Sequence, residues 1–406
     1  MIPDVLVVGA GPAGSAAAAL LAREGFQVIL ADKSQAPPAK ICGEYLSPGG
    51  RRILRDLGIL EALERSGAPA ISGITIHTLS GRTLAAEFPP DPEGHPCLGL
   101  AARREFLDPL LLDLARQSGA VFLPGLQASD LILADGAVLG VQGRLEGRPQ
   151  EIRARLVIGA DGRGSVVARR LGAVRPHRWL EKFAVGGYFS GVDRAAGRCE
   201  IFVGRRAYCI LDPVADGLTN AASVEDRGDS SGRIRTAEDF IGTLGRIHPD
   251  LPGRFARARP EGRLRTLGPL AHRAERMGFR GALLVGDAAG FLDPFTGEGI
   301  YSALRSAQLA AEHAARALRQ CGDGPPDLQS YDTAWRREFL PKWRICMGIQ
   351  HAVRRPFLAH WIVGRLQGRR ALAQEILAAM GDLLPAQELG LGRLALRTFR
   401  ALRTRG

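Results

Sequence analysis

The stretch that most restricts the fold is VLVVGAGPAGSAAAALLAREGFQVILADK, Val5 to Lys33. Val5 to Val8 is a short apolar run suited to a strand buried on both faces of a parallel sheet. Gly9, Gly11 and Gly14 follow as GxGxxG, then an Ala-rich helix and a second strand over Val28 to Ala31. In this arrangement Gly9 permits the tight turn, Gly11 lets backbone approach a pyrophosphate, and Gly14 lets helix pack on strand. The helix N-terminus faces the phosphates with its partial positive charge. Asp32 closes the second strand 23 residues after Gly9, where a carboxylate accepts ribose hydroxyls. Ala13 and Lys33, at the same turn and strand end, join the candidate cofactor-binding set. A GxGxxG alone is a weak signal, but strand, turn, helix, strand and acid in that order predict a Rossmann-type dinucleotide unit. The unit does not choose between the adenosine of FAD and that of NAD.

The rest of the 406 residues must complete that sheet and can add further layers. With 46% hydrophobic and 24% charged residues the chain reads as an ordinary folded protein. No run of about 18 apolar residues occurs, and Asp4 precedes the first apolar run, so the start lacks the charged leader of a signal peptide. A cytoplasmic protein is expected. The six cysteines show no CxxC spacing, which argues against zinc and against a disulfide framework; no metal site is expected. The net charge of +12 is uneven: residues 331–406 hold 14 Lys and Arg against 5 Asp and Glu, a net +9. Leu394, Leu396, Phe399 and Leu402 share one side of a helical wheel and Arg393, Arg397 and Arg400 the other. Such a tail is either a solvated face or a peripheral contact with an anionic membrane. No nucleic-acid module accompanies the charge, so nucleic acid is not expected as a partner.

Two later stretches complete a pattern. One is LVIGADGRGSVVARRLG, containing Gly159, Asp161 and Gly162; its GxxGxG spacing is wrong for a second Rossmann start. The other is ALLVGDAAGFLDPFTGEGIYSALRSAQLAAE, containing Gly286, Asp287, Pro294, Gly297, Glu298, Gly299 and Ile300. Together with the GxGxxG unit they frame about the first 320 residues and resemble the FAD-dependent oxidoreductases of the glutathione-reductase-type fold. That group holds aromatic hydroxylases, flavin halogenases and geranylgeranyl reductases. The resemblance implies FAD as cofactor, Asp287 on its ribityl chain, Asp161 near its pyrophosphate, and a helix starting after Gly299 aimed at the flavin pyrimidine ring. A helix dipole there stabilises the charge of reduced flavin. Arg104, Leu107 and Asp108 give an RxxLD whose arginine contacts FAD in the group; a surface arginine starting an amphipathic helix explains the pattern as well. No separate NAD(P)H domain is visible, so NADPH or NADH binds transiently or a partner protein supplies the electrons.

The expected fold is α/β: a discontinuous Rossmann-type FAD-binding domain over 1–70, 95–175 and 265–320, and an inserted antiparallel-sheet substrate domain over 71–94 and 176–264. A helical basic region follows over 325–406. Alternation around Ser80-Gly81 predicts a hairpin, and strand-like runs between Phe183 and Val224 predict a sheet walling the flavin. Trp335, Trp343 and Trp361 are expected packing anchors in the helical region.

Within the group, Lys40-Ile41-Cys42-Gly43-Glu44 and the TGEGIY turn look most like the geranylgeranyl reductase branch. There a cysteine in a KxCGE loop lies close to the flavin, which makes Cys42 and Gly43 candidate flavin contacts and Cys42 and Glu298 candidate catalytic groups. The alternative is a cysteine packed as a small hydrophobe. That branch also carries a YxWxFP segment along its lipid cavity; here Tyr208 and Pro213 remain, with Ile210 and Asp212 in place of Trp and Phe. Tyr208 is a candidate substrate contact. The WxWxIP segment of the halogenases is absent. Two functions are carried forward: reduction of C=C bonds in a hydrophobic prenylated substrate, and NAD(P)H- and oxygen-dependent monooxygenation of an aromatic, polyketide or quinone-type substrate.

Overall fold

The computed structural model describes residues 2–36, 43–177, 179–227, 234–322 and 324–384. Val5–Val8 lies inside a six-stranded sheet, flanked in parallel by Val28–Asp32 and Leu156–Gly159. Ala282–Leu284 and Val121–Pro124 extend the parallel array, and Gly278–Phe279 closes one edge antiparallel. Val8 pairs with Gly159, and Gly159 with Leu284. The three glycine-rich motifs, far apart in the chain, therefore leave the sheet side by side at the carboxyl ends of adjacent strands, where such sheets bind ligands.

The sheet stays dry because helices cover it. Pro12–Arg23 packs against Arg104–Gln117 and Gly299–Gln320, and Ala16 to Ala19 along it are at most 1% exposed. Alanine lets helices approach closely and gives up no side-chain entropy when buried. Beside the strand Leu156–Gly159 sits an antiparallel meander of Leu126–Ala134, Ala137–Leu145 and Arg148–Arg153, which sequence reasoning did not anticipate. Its signal was present: Asp135-Gly136 and Glu146-Gly147 take positive φ at both residues, as two-residue hairpin turns require.

The second large sheet has seven strands, ordered Arg259–Leu267, Lys182–Ser190, Thr219–Asp226, Ala207–Pro213, Arg198–Val203, Gly73–Thr78 and Thr83–Glu87. The hairpin around Ser80-Gly81 forms its edge, and Gly73–Thr78 runs parallel to Arg198–Val203. Strand alternation sorts the side chains. Phe202, Cys209 and Leu211 pack under the helix Ala237–Ile247, whereas Ile201, Tyr208 and Ile210 face the opposite way. Helices Gln329–Val353, Pro356–Gln367 and Arg370–Met380 complete the described chain. Trp335 is buried against Phe339 and Trp343, whereas Trp361 is only partly buried. Among the described residues no helix is long and apolar enough to cross a membrane. The basic wheel of residues 393–402 lies outside the described residues.

Candidate active site

A cavity separates the two large sheets, and the glycine motifs form one of its walls. Gly9 sits at φ 107°, and a Cβ there would stand 2.4 Å from the carbonyl oxygen of Ala160. Only glycine allows the first and second motifs to meet this closely. The helix Pro12–Arg23 begins at Gly11 with no side-chain cap, which leaves its first N–H groups available to an anion. Gly11 and Ala13 line the cavity. Asp32 accepts from the N–H of Ala10 (2.8 Å) and of Ser34 (2.8 Å), so its carboxylate fixes the glycine turn from the second strand. Lys33 is exposed.

The second motif contributes differently from expectation. Asp161 turns away to accept from the N–H of Val166 (2.6 Å) at the start of the short helix Val166–Arg170, which Ser165 caps through the N–H of Ala168. Burial pushes its carboxyl up, and hydrogen bonds from the Ser165 side chain and the backbone N–H groups of Val166 and Val167 oppose the shift. The cavity is instead lined by its neighbours Gly162 and Arg163. Arg163 donates to the carbonyl of Pro269 at 2.9 Å and feels the charge of Asp287. Sequence reasoning did not single out Arg163, although a basic residue inside a cofactor-facing glycine turn was a usable signal.

The third motif closes around the same space. Gly286, Asp287, Gly297, Gly299 and Ile300 all line the cavity. His272 is 2.7 Å from the backbone carbonyl of Asp287, an anchor that presents this turn. Gly297 sits at φ 67°, and a Cβ there would lie 2.3 Å from the Tyr45 ring. The long helix Gly299–Gln320 starts with no side-chain cap and no acid in its first turn, so its N-terminus offers bare N–H donors beside the cavity. Glu298, at the helix cap, is partly buried; desolvation raises its pKa and Lys342 opposes the rise. Arg104 lines the cavity with its Nε and Nη2 held by the two carboxylate oxygens of Asp108 at 2.5 and 2.6 Å, and its backbone N–H donates to Glu44. These features fit FAD: a glycine-walled cradle that a Cβ would fill, two uncapped helix ends beside it, and Asp287 on the cavity wall.

Facing the cradle is the seven-stranded sheet, whose contribution is mostly aliphatic: Ile74, Ala184, Ile201, Ile210, Val224 and Leu267. Cys199 and Asp212 interrupt it, and Glu44 joins the lining from the loop before Tyr45–Leu46. Glu44, held at φ 59° and 1% exposed, accepts from the Tyr188 hydroxyl at 2.5 Å. Burial raises its pKa, with the Tyr188 bond opposing. Cys199 is buried with its thiol pushed well up by desolvation. Asp212 is buried and raised to about 7, mainly by desolvation.

Tyr208 does not line the cavity. It is fully buried, its ring edge-on to Phe295 and its hydroxyl donating to Asp293 at 2.5 Å. Asp293 is a hub that sequence reasoning missed. It also accepts from Gln350 (2.7 Å) and the N–H of Phe295 (2.9 Å), with Lys182 at 3.6 Å. Sheet, glycine loop and C-terminal helix are tied together there. Cys42 lies outside the described residues; its neighbours Gly43 and Glu44 line the cavity.

Fold and site define an FAD-dependent oxidoreductase. Residues 3–187 match the FAD binding domain family. Digeranylgeranylglycerophospholipid reductase 1 of Methanococcoides burtonii is 30% identical over 350 residues, 83% of this chain and 80% of that protein. Squalene monooxygenase of Mus musculus is also 30% identical over 350 residues, covering 82% of this chain and 56% of that protein. A flavin-dependent brominase superposes with a TM-score of 0.82 at 21% identity over 94% of each chain, a likeness of fold. The chain belongs to the superfamily of geranylgeranyl reductases and class A flavoprotein monooxygenases.

Proposed function

We propose that this enzyme reduces C=C bonds in the isoprenoid chain of a prenylated lipid. The observation that carries this reading is the aliphatic wall set directly against the FAD cradle, which suits an alkene chain. The reductase relative and the squalene monooxygenase relative both carry isoprenoid substrates in their names. Reduced FAD, when bound, supplies a hydride. The chain's residues hold the alkene in reach, keep water out and furnish a proton. Electrons would come from NADPH or NADH bound transiently, or from a partner protein. The basic C-terminal segment suits an enzyme that works in the cytoplasm and collects lipid at a membrane surface. The test is anaerobic incubation of dithionite-reduced holoenzyme with a geranylgeranyl ether lipid, read by mass spectrometry. A gain of two hydrogens per reduced bond supports the reading, and an unaltered lipid contradicts it.

A second reading, oxygen-dependent hydroxylation or epoxidation with NAD(P)H, is favoured by Ile210 and Asp212 standing where the reductase pattern has Trp and Phe. The same cradle serves both reactions, so the fold leaves the choice to chemistry.

A further inference from the structure

We infer that Asp212 is the acid that delivers the proton to the substrate alkene, an assignment that rests on the reductase reading. Asp212 lies on the strand Ala207–Pro213, where alternation puts it on the same face as Ile210, towards the cavity. It is 2% exposed, and its Oδ1 has no hydrogen-bond partner. A buried carboxyl oxygen left unpaired in an apolar wall costs stability and calls for an explanation. The other oxygen, Oδ2, is 3.4 Å from where a Cβ on Gly43 would stand, which places the acid against the loop that follows Cys42. Gly43, Gly297 and Gly299 line the same cavity.

The surroundings keep the proton on. Burial is the largest influence; Glu44 raises the group further, while a hydrogen bond with Cys199 and the charge of Arg194 oppose the rise. Tyr45 and Cys209 also feel its charge. The result is a carboxyl near neutrality, suited to giving up a proton at the working pH of a general acid. In the reaction the π bond breaks and two C–H bonds form. One carbon takes the hydride from reduced FAD, the other takes the proton from Asp212, and the resulting carboxylate regains a proton from water once product leaves.

The test compares the holoenzyme with Asp212→Asn and Asp212→Glu. Infrared spectra of the oxidised proteins should show a protonated-carboxyl stretch that titrates near pH 7 in the parent and is missing from Asp212→Asn. Anaerobic single turnover of the dithionite-reduced proteins with a geranylgeranyl ether lipid should then slow about 100-fold or more in Asp212→Asn. Asp212→Glu should recover part of the rate, and the parent rate should fall as pH rises through about 7. Asp212→Asn that turns over at the parent rate, or a parent without the titrating stretch, overturns the assignment alone. A parent that the lipid does not reoxidise overturns the reductase reading and the assignment with it.

Discussion

The two sheets that face each other across the cavity meet it with different chemistry. The parallel sheet presents backbone: Gly9, Gly11, Gly286 and Gly297 bring N–H groups and turns to the surface, and two helices point uncapped ends the same way. The seven-stranded sheet presents side chains, most of them aliphatic, with the acid Asp212 and the thiol Cys199 set among them. Backbone recognition tolerates little variation, because any Cβ at Gly9 or Gly297 would enter a neighbour. Side-chain walls can be changed one residue at a time without disturbing the cradle. On the proposed reading, one half of the molecule holds the cofactor and the other sets the reaction.

Substitutions on the two sides should separate accordingly. The largest effect is expected at the cradle, where Asp287→Ala should lose most bound FAD while circular dichroism shows the chain still folded. Full flavin occupancy in that variant would remove Asp287 from the ribityl contact. The join between the halves comes next. Asp293→Ala leaves Lys182 buried without its counter-charge and frees Tyr208 and Gln350, and should cost about 3–5 kcal/mol in urea unfolding. A loss below about 1 kcal/mol would mean that the hub does not hold the halves together.

On the side-chain wall the effect should depend on pH. The Asp212 carboxyl is higher in the folded protein than its usual value, so its stabilising contribution is complete below about pH 4 and is lost as pH rises through about 7. Asp212→Asn should abolish that decline. It should gain roughly 2–4 kcal/mol on the parent between pH 4 and 8 in matched denaturation series. Parallel curves for the two proteins would place the group's titration elsewhere. The smallest change is expected from Cys42→Ser, with flavin retained and turnover altered; unchanged kinetics would assign Cys42 to packing.

Legibility in the sequence follows the same division. Gly9, Gly11, Gly14 and Asp32 could be read because their task is local: a turn, a helix start and a strand end within about 30 residues. The third motif was readable for the same reason, and alternation around Ser80-Gly81 gave the hairpin. The meander was missed although Asp135-Gly136 marked its first turn. What could not be read are pairings across long separations. Lys182 reaches Gln350, 168 residues away, and Tyr188 reaches Glu44, 144 residues away. No local pattern encodes either. Asp161 shows a further limit, since an acid ahead of a short helix can hold the helix's first N–H or a cofactor, and only the folded structure tells which. Tyr208 was drawn toward the substrate by a motif position, whereas its packing against Phe295 and Asp293 puts it behind the wall.

The most direct test of the account is rapid mixing of the anaerobically reduced holoenzyme with oxygenated buffer and, separately, with oxygen-free geranylgeranyl ether lipid, following flavin absorbance in both. The reductase reading predicts slow, featureless reoxidation by oxygen and lipid-dependent reoxidation in its absence. A transient hydroperoxyflavin whose decay yields oxygenated lipid would contradict it and establish the monooxygenase instead.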